Sequence, residues 1–328
     1  VTRLRFHPDS KPGFTRRRAG RGHAFHDADG QLIRDPEVRE RILKLGIPPA
    51  WTDVWISPFA NGHLQATGRD AKGRKQYRYH SDWSQARSET KYANLVSFGE
   101  ALPQLRRWIS ARLRPDHAGE RDFAVAAVLA LIDRSAIRVG NEEYAKENGT
   151  FGATTLQCAH LELDGSHIRL AFPAKGGKRI EHTLTGRKLA RALHQLSDLP
   201  GGDLFAWLDA DGQPDAVSSD MVNDAIRAVC GEVHSAKTFR TWNGTHAAFE
   251  AAHGEGPISL KALSEAASAR LHNTPAICRG SYIHPAVLGL AELEPGERLA
   301  RLSALPDGTA DELRKLEGPL IHFLRDAG

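Results

Sequence analysis

The stretch Leu271-His272-Asn273-Thr274-Pro275-Ala276-Ile277-Cys278-Arg279-Gly280-Ser281-Tyr282-Ile283-His284-Pro285 puts a tyrosine at the end of a series of basic residues in distinctive settings. Upstream of it stand Arg138 in Ile137-Arg138-Val139-Gly140-Asn141 and Lys175 in Phe172-Pro173-Ala174-Lys175-Gly176-Gly177-Lys178. Arg240 follows in Lys237-Thr238-Phe239-Arg240-Thr241-Trp242. Two arginines, a lysine and a tyrosine suit attack by a phenol on a phosphodiester. Arginine forks grip non-bridging oxygens, a lysine protonates the leaving oxygen, and the phenol is the nucleophile. A phenol ordinarily ionises near pH ~10, so that role demands flanking cations.

Working outward, Pro48-Pro49-Ala50-Trp51-Thr52-Asp53-Val54-Trp55, Gly62-His63-Leu64-Gln65-Ala66-Thr67-Gly68-Arg69-Asp70 and Gly73-Arg74-Lys75-Gln76-Tyr77-Arg78-Tyr79-His80 precede the basic series. These segments, with the basic residues and tyrosine in this order, resemble the type IB DNA topoisomerases in their compact poxvirus and bacterial form. The resemblance extends over nearly the whole chain. It implies an α+β fold: a small antiparallel β-sheet domain over 1–80 and a larger, mainly helical catalytic domain over 81–328 carrying a three-stranded sheet. It further implies a C-shaped clamp on duplex DNA that cleaves one strand, holds it as a 3′-phosphotyrosyl link, permits rotation and religates.

On that resemblance Tyr282 is the nucleophile, Arg138 and Arg240 clamp the phosphate, and Lys175 is the general acid. Lys178, three residues on, is the competing lysine and otherwise a phosphate contact. Asn273 stands nine residues before Tyr282, where poxvirus and eukaryotic relatives carry histidine. An asparagine amide can donate the same hydrogen bond without a charge, and His272 is the alternative donor. Gln76, Tyr77 and Tyr79 match a DNA-contacting segment of the first domain. Strand alternation puts Tyr77 and Tyr79 on one face, either as DNA contacts or as a core aromatic pair. Asn141, Glu143 and Tyr144 open the helix that reads the major groove in poxvirus enzymes. Glu142-Glu143 replaces the lysines found there, so no poxvirus site preference carries over.

The 328 residues, 41% hydrophobic and 26% charged, are enough for two domains with their own cores. A net charge of +4 is modest, but positive residues concentrate at Arg16-Arg17-Arg18, Arg21, the Lys72 to Arg78 run and Lys175-Lys178-Arg179, as a phosphate backbone requires. Three scattered cysteines form neither a disulfide framework nor a zinc set and fit a reducing compartment. No signal peptide and no apolar run of the ~20 residues a membrane helix needs is evident. A cytoplasmic, nucleoid-associated monomer acting on duplex DNA is expected, without ATP, metal or other cofactor, since the chain has no Walker loop and no carboxylate cluster. The alanine- and arginine-rich composition suggests a bacterial source. A site-specific tyrosine recombinase and a non-catalytic DNA-binding relative are the alternatives. Lys237 stands before Arg240 where recombinases usually place histidine, and the early segments resemble the topoisomerases.

For the elements, Asp27-Ala28-Asp29-Gly30 predicts a hairpin turn within Arg21 to Ile33, and Asp35 a cap for a helix from Pro36 to Leu45. Strands are expected at Asp53 to Ser57, His63 to Thr67 and Gln76 to His80. Helical spacing covers Ser88 to Leu113, Arg121 to Arg138, with Arg138 near its end, and Glu142 to Glu147. Alternation at Thr154 to Leu161, His167 to Phe172 and Arg179 to Leu184 predicts three strands, with Lys175 in the turn between the last two. Helices follow at Thr185 to Leu196, Ser219 to Cys230, Lys237 to Ala252, Ser259 to Leu271, Pro285 to Leu293 and Asp311 to Arg325. Asp209-Ala210-Asp211-Gly212 is a second turn, and neither turn has the later ligands of a calcium loop.

Overall fold

Asp35 decides the first helix: its carboxylate accepts from the Glu37 and Val38 amides at 2.8 and 3.4 Å, and Pro36 begins α1 (Pro36–Lys44). The computed structural model describes residues 3–20 and 22–327. Arg21, counted above among the basic residues, lies outside the described residues. Two compact units result, Val1–Lys91 and Tyr92–Gly328.

In the first unit β1 (Phe14–Ala19), β2 (Gly22–His26), β3 (Thr52–Ile56), β4 (Leu64–Arg69) and β5 (Lys75–Tyr79) form an antiparallel sheet in the order β2-β1-β3-β4-β5. Ile42 of α1 packs with Phe25, Val54, Ile56 and Ala66 in its core. The Asp27 to Gly30 turn forms, but only an isolated bridge, His26 to Leu32, follows it. Asp27 Oδ1 is occupied by the amides of Asp29 and Gln31, and Asp209 Oδ1 likewise by those of Asp211 and Gln213. Arg16 is a correction to the expected basic patch. Its guanidinium donates to the carbonyls of Ile47, Pro48 and Trp51, so it staples a loop instead of facing a phosphate.

The unit boundary falls inside α2 (Ser81–Ala93), later than the expected 80/81 division, because Trp83 sets its ring edge-on to His63 of the first unit. The helix expected over Ser88 to Leu113 is two, α2 and α3 (Leu95–Arg112), interrupted at Asn94, whose carbonyl also accepts from the Ser97 hydroxyl. In α4 (Arg121–Ser135) every residue from Phe123 to Asp133 is buried, so it is the central helix of the second unit. It stops short of Arg138 because Ala136 turns left-handed at φ 55°. Asn141 caps α5 (Glu142–Asn148) and Gly149 ends it at φ 59°.

The strand expected at Thr154 to Leu161 is instead two short 3-10 turns, Ala153–Thr155 and Cys158–His160. Thr155 Oγ1 and His160 Nδ1 accept the Gly152 and Gln157 amides and close those turns locally. The sheet is β6 (Leu161–Asp164), β7 (His167–Ala174) and β8 (Lys178–Thr185), antiparallel in that order. There follow α6 (Arg187–Ser197), a β9 (Ala206–Leu208) and β10 (Pro214–Ala216) hairpin around the Asp209 turn, α7 (Ser219–Cys230) capped by Ser218, α8 (Ala236–Ala251) and α9 (Leu260–Leu271). After α10 (Pro275–Ser281) come α11 (Pro285–Gly289), α12 (Pro295–Ser303) and α13 (Glu317–Asp326). The last helix starts later than Asp311 because Leu316 is left-handed at φ 64°.

A buried ionic cluster ties α3, α4, α8 and α13. Arg106 grips Asp133 at 3.0 Å and Glu317 at 2.6 Å, and the Trp242 indole donates to Glu317 at 3.2 Å. Burial alone would raise the Glu317 pKa, but the hydrogen bonds and charge of Arg106 overcome it and hold it at about 2.

Candidate active site

Arg240 is buried on α8, and two helix ends meet its guanidinium. Nη1 donates to the Ala136 carbonyl at the end of α4, and Nη2 to the Leu271 carbonyl, the last residue of α9, at 3.0 Å. Its Nε has no hydrogen-bond partner among the described residues. Burial pulls the Arg240 pKa below its ordinary value, and the nearby Arg138 charge adds to that. Two like charges held this close favour an anion between or beside them.

Arg138 lies beyond α4 in a segment without regular secondary structure. Its carbonyl accepts from the Ala153 amide at 2.8 Å, and the neighbouring Val139 carbonyl from Thr154 at 2.7 Å. Gly152 is needed there, since a Cβ would come within 2.7 Å of the Arg138 carbonyl oxygen. Arg138 Nη2 donates to Asn273 Oδ1 at 2.9 Å. That leaves the Asn273 amide nitrogen buried without a partner among the described residues.

Tyr282 directly follows α10, its amide bonded to Cys278 at 2.8 Å. The Arg240 Cζ lies 5.2 Å from its ring centre, and the ring is half-buried. Its backbone presses on α8: a Cβ on Gly244 would sit 2.7 Å from the Tyr282 carbonyl oxygen. Lys175 is exposed in the β7–β8 turn, which Gly176 and Gly177 make possible at φ 85° and 75°. Its Nζ stands 5.8 Å from the Tyr144 ring centre.

Arg138, Lys175, Arg240 and Tyr282 thus line one cleft of about 360 Å³, with Asn141, Tyr144 and Lys237 on the same wall. Asn273 is not on that wall but reaches it through Arg138. Lys178 does not line the cleft; it is exposed at the start of β8, the other side of the Gly-Gly turn. Asn141 uses its side-chain oxygen to cap α5, accepting from Tyr144 at 2.8 Å, while Glu142 pairs with Lys146. Residues the sequence did not single out include Gly244, Gly152, Ala136 and Arg270. Arg270 donates to Asn243 and to the Arg134 carbonyl, joining α9 to the last turn of α4.

In the first unit Tyr77 and Tyr79 stack with centres 6.0 Å apart at 11°. Each is 47% exposed, so they are a surface pair and not a core pair. Gln76, on the opposite face of β5, is half-buried and donates to Asp70 at 3.0 Å. Arg74 and Lys75 of the same basic run pair with Asp70 and Asp9, both at 2.7 Å.

Residues 80–268 match the family model described as eukaryotic DNA topoisomerase I, catalytic core, and residues 22–70 match bacterial DNA topoisomerase IB, N-terminal domain. The first match holds Arg138, Lys175 and Arg240 and stops before Tyr282. The chain is 28% identical to DNA topoisomerase 1B of Acanthamoeba polyphaga mimivirus over 300 residues, 86% of this chain and 88% of the relative. It is 25% identical to DNA topoisomerase 1 of rabbit fibroma virus (strain Kasza), over 54% of this chain and 60% of that one. DNA topoisomerase 1B of vaccinia virus (strain Copenhagen) is 26% identical over 50% of this chain and 53% of its own length. Among the described residues no helix is long and apolar enough to cross a membrane.

Proposed function

The chain belongs to the type IB DNA topoisomerase family, and from that premise we propose that it relaxes supercoiled duplex DNA through a transient 3′-phosphotyrosyl link at Tyr282. The observation that carries this reading is the convergence of Arg138, Lys175, Arg240 and Tyr282, spread over more than a hundred residues of sequence, on one cleft. The Tyr282 hydroxyl gives its proton to solvent and its oxygen bonds to the scissile phosphorus while the bond to the 5′ oxygen breaks. Arg138 and Arg240 stabilise the charge gathering on the non-bridging oxygens. Arg240 is held by two backbone carbonyls, and among the described residues no carboxylate pairs with it, so its charge is available to an anion. Lys175, on a glycine-flanked turn, gives the departing 5′ oxygen its proton. Asn273 steadies Arg138 and keeps an unused amide donor for a phosphate oxygen.

After cleavage the free 5′ end rotates and then attacks the phosphotyrosine to reseal the strand. The bond energy stays in the phosphotyrosyl link, and Arg138, Arg240 and Lys175 supply the cations. The reaction so built needs neither ATP nor a metal ion. The exposed Tyr77–Tyr79 pair of the first unit adds duplex contacts, and Lys178 adds a phosphate contact. The test is relaxation of a supercoiled plasmid in EDTA without nucleotide. Progressive relaxation by the unaltered chain and none by Tyr282→Phe is the expected result. Binding without relaxation would point to a non-catalytic relative, and recombination only between paired sites to a recombinase.

A further inference from the structure

The next inference rests on the function just proposed and concerns what aims the arginine pair. Both carbonyls on Arg240 come from left-handed helix ends. One is that of Ala136 itself, at φ 55°, and the other is that of Leu271, immediately before His272 at φ 51°. The His272 turn has a second output, because the next residue, Asn273, accepts from Arg138 at 2.9 Å. One backbone conformation therefore sets a partner of each arginine.

Non-glycine residues seldom adopt this conformation, histidine and asparagine more readily than most, and it persists only where the surroundings hold it. Here the His272 ring lies edge-on to His182 of β8, centres 4.6 Å apart at 79°. Both rings wall a small cavity together with Ala136, Arg138 and Arg240. Ser268 of α9 adds a brace, its hydroxyl donating to the Asn273 carbonyl at 2.6 Å.

We infer that His272 is a positioning residue for strand cleavage: its left-handed turn, packed on His182, aims the Leu271 carbonyl at Arg240 and the Asn273 amide oxygen at Arg138. The residue acts through the arginines and not on the DNA, so it sets the rate of the chemical step and leaves duplex affinity alone. The His182 ring packs beside the turn, but what reaches the arginines is the backbone conformation, which asparagine can also hold.

The experiment is single-turnover cleavage of a labelled duplex by the full chain and by His272→Asn, His272→Ala and His272→Val. Asparagine tolerates the left-handed region, alanine adopts it at a cost, and a β-branched residue resists it. His272→Asn is expected within about 3-fold of the unaltered chain, His272→Ala roughly 10-fold slower and His272→Val slower still, with duplex affinity unchanged. A bridging-sulfur leaving group should not restore the Ala variant, since leaving-group protonation is not what it lacks. His272→Ala keeps the inference testable even if His272→Val fails to fold. Equal cleavage rates for the unaltered chain and His272→Ala would overturn the inference alone. So would an Asn variant as slow as the Ala variant, which would give the imidazole a direct part. No covalent adduct from the unaltered chain would overturn the proposed function itself, and the inference with it.

Discussion

At the residue scale the proposed division of labour turns on Lys175, because two lysines flank the same Gly-Gly turn and only Lys175 lines the cleft. Losing a general acid slows a reaction by about 10²–10⁴-fold, and Lys175→Ala should slow strand cleavage by that much. A substrate with sulfur at the bridging 5′ position needs no proton, since a thiolate leaves readily. Lys175→Ala should therefore cleave that substrate nearly as fast as the unaltered chain, while Arg138→Ala and Arg240→Ala remain slow. Rescue of Lys178→Ala by sulfur, without rescue of Lys175→Ala, would transfer the role to Lys178. The four cleft residues were legible in the sequence because each sits in a short distinctive setting. Gly244 and Gly152 were not. Their task is to omit a Cβ that would meet the Tyr282 and Arg138 carbonyl oxygens at 2.7 Å, and only the folded chain reveals which backbone comes that near.

At the element scale, helices whose ends carry a chemical signal were read well. Asp35, Ser218 and Ser259 each accept an amide of the helix that follows. The misreadings share a cause: side chains or left-handed residues ended elements that apolar periodicity would continue. Ala136 stopped α4 and Leu316 delayed α13, although neither residue type marks a helix end in a sequence. Thr155 and His160 closed turns where alternation suggested a strand. The short α10 and α12 lack enough turns for a periodic pattern, and each begins at a proline.

The Arg106–Asp133–Glu317 cluster gives this scale its own prediction. Glu317 is held at about 2, below its ordinary value of 4.5. A lowered carboxylate pKa means the unfolded chain binds the proton more readily. The stabilisation is complete above about pH 4.5 and is lost as the pH falls through about 2. Glu317→Gln should cost about 3–5 kcal/mol at neutral pH, the usual penalty for breaking a buried pair, and should flatten the acid side of the profile. Denaturant unfolding of both proteins from neutral pH down to about pH 3 checks it, and parallel profiles would contradict it.

At the scale of the whole molecule the proposed function divides the work between the two units. The cleft residues all belong to the second unit, whereas Tyr77 and Tyr79 are on the first. A tyrosine hydroxyl bonded to a charged backbone phosphate is worth about 1.5–3 kcal/mol. Replacing both tyrosines by alanine should weaken duplex binding at least ~10-fold while leaving the cleavage rate at saturating protein unchanged. Fluorescence anisotropy and single-turnover cleavage on one duplex separate the two effects, and a matched fall in rate at saturation would contradict the division. Basic runs were an incomplete guide at this scale, since Arg16, Arg74 and Lys75 are engaged with the first unit's own carbonyls and carboxylates. The most direct measurement is to trap the protein on nicked duplex, digest it, and sequence the nucleotide-bearing peptide by mass spectrometry. The nucleotide is expected on Tyr282 through its 3′ phosphate; a 5′ linkage, or attachment at Tyr144 across the same cleft, would contradict the proposed mechanism.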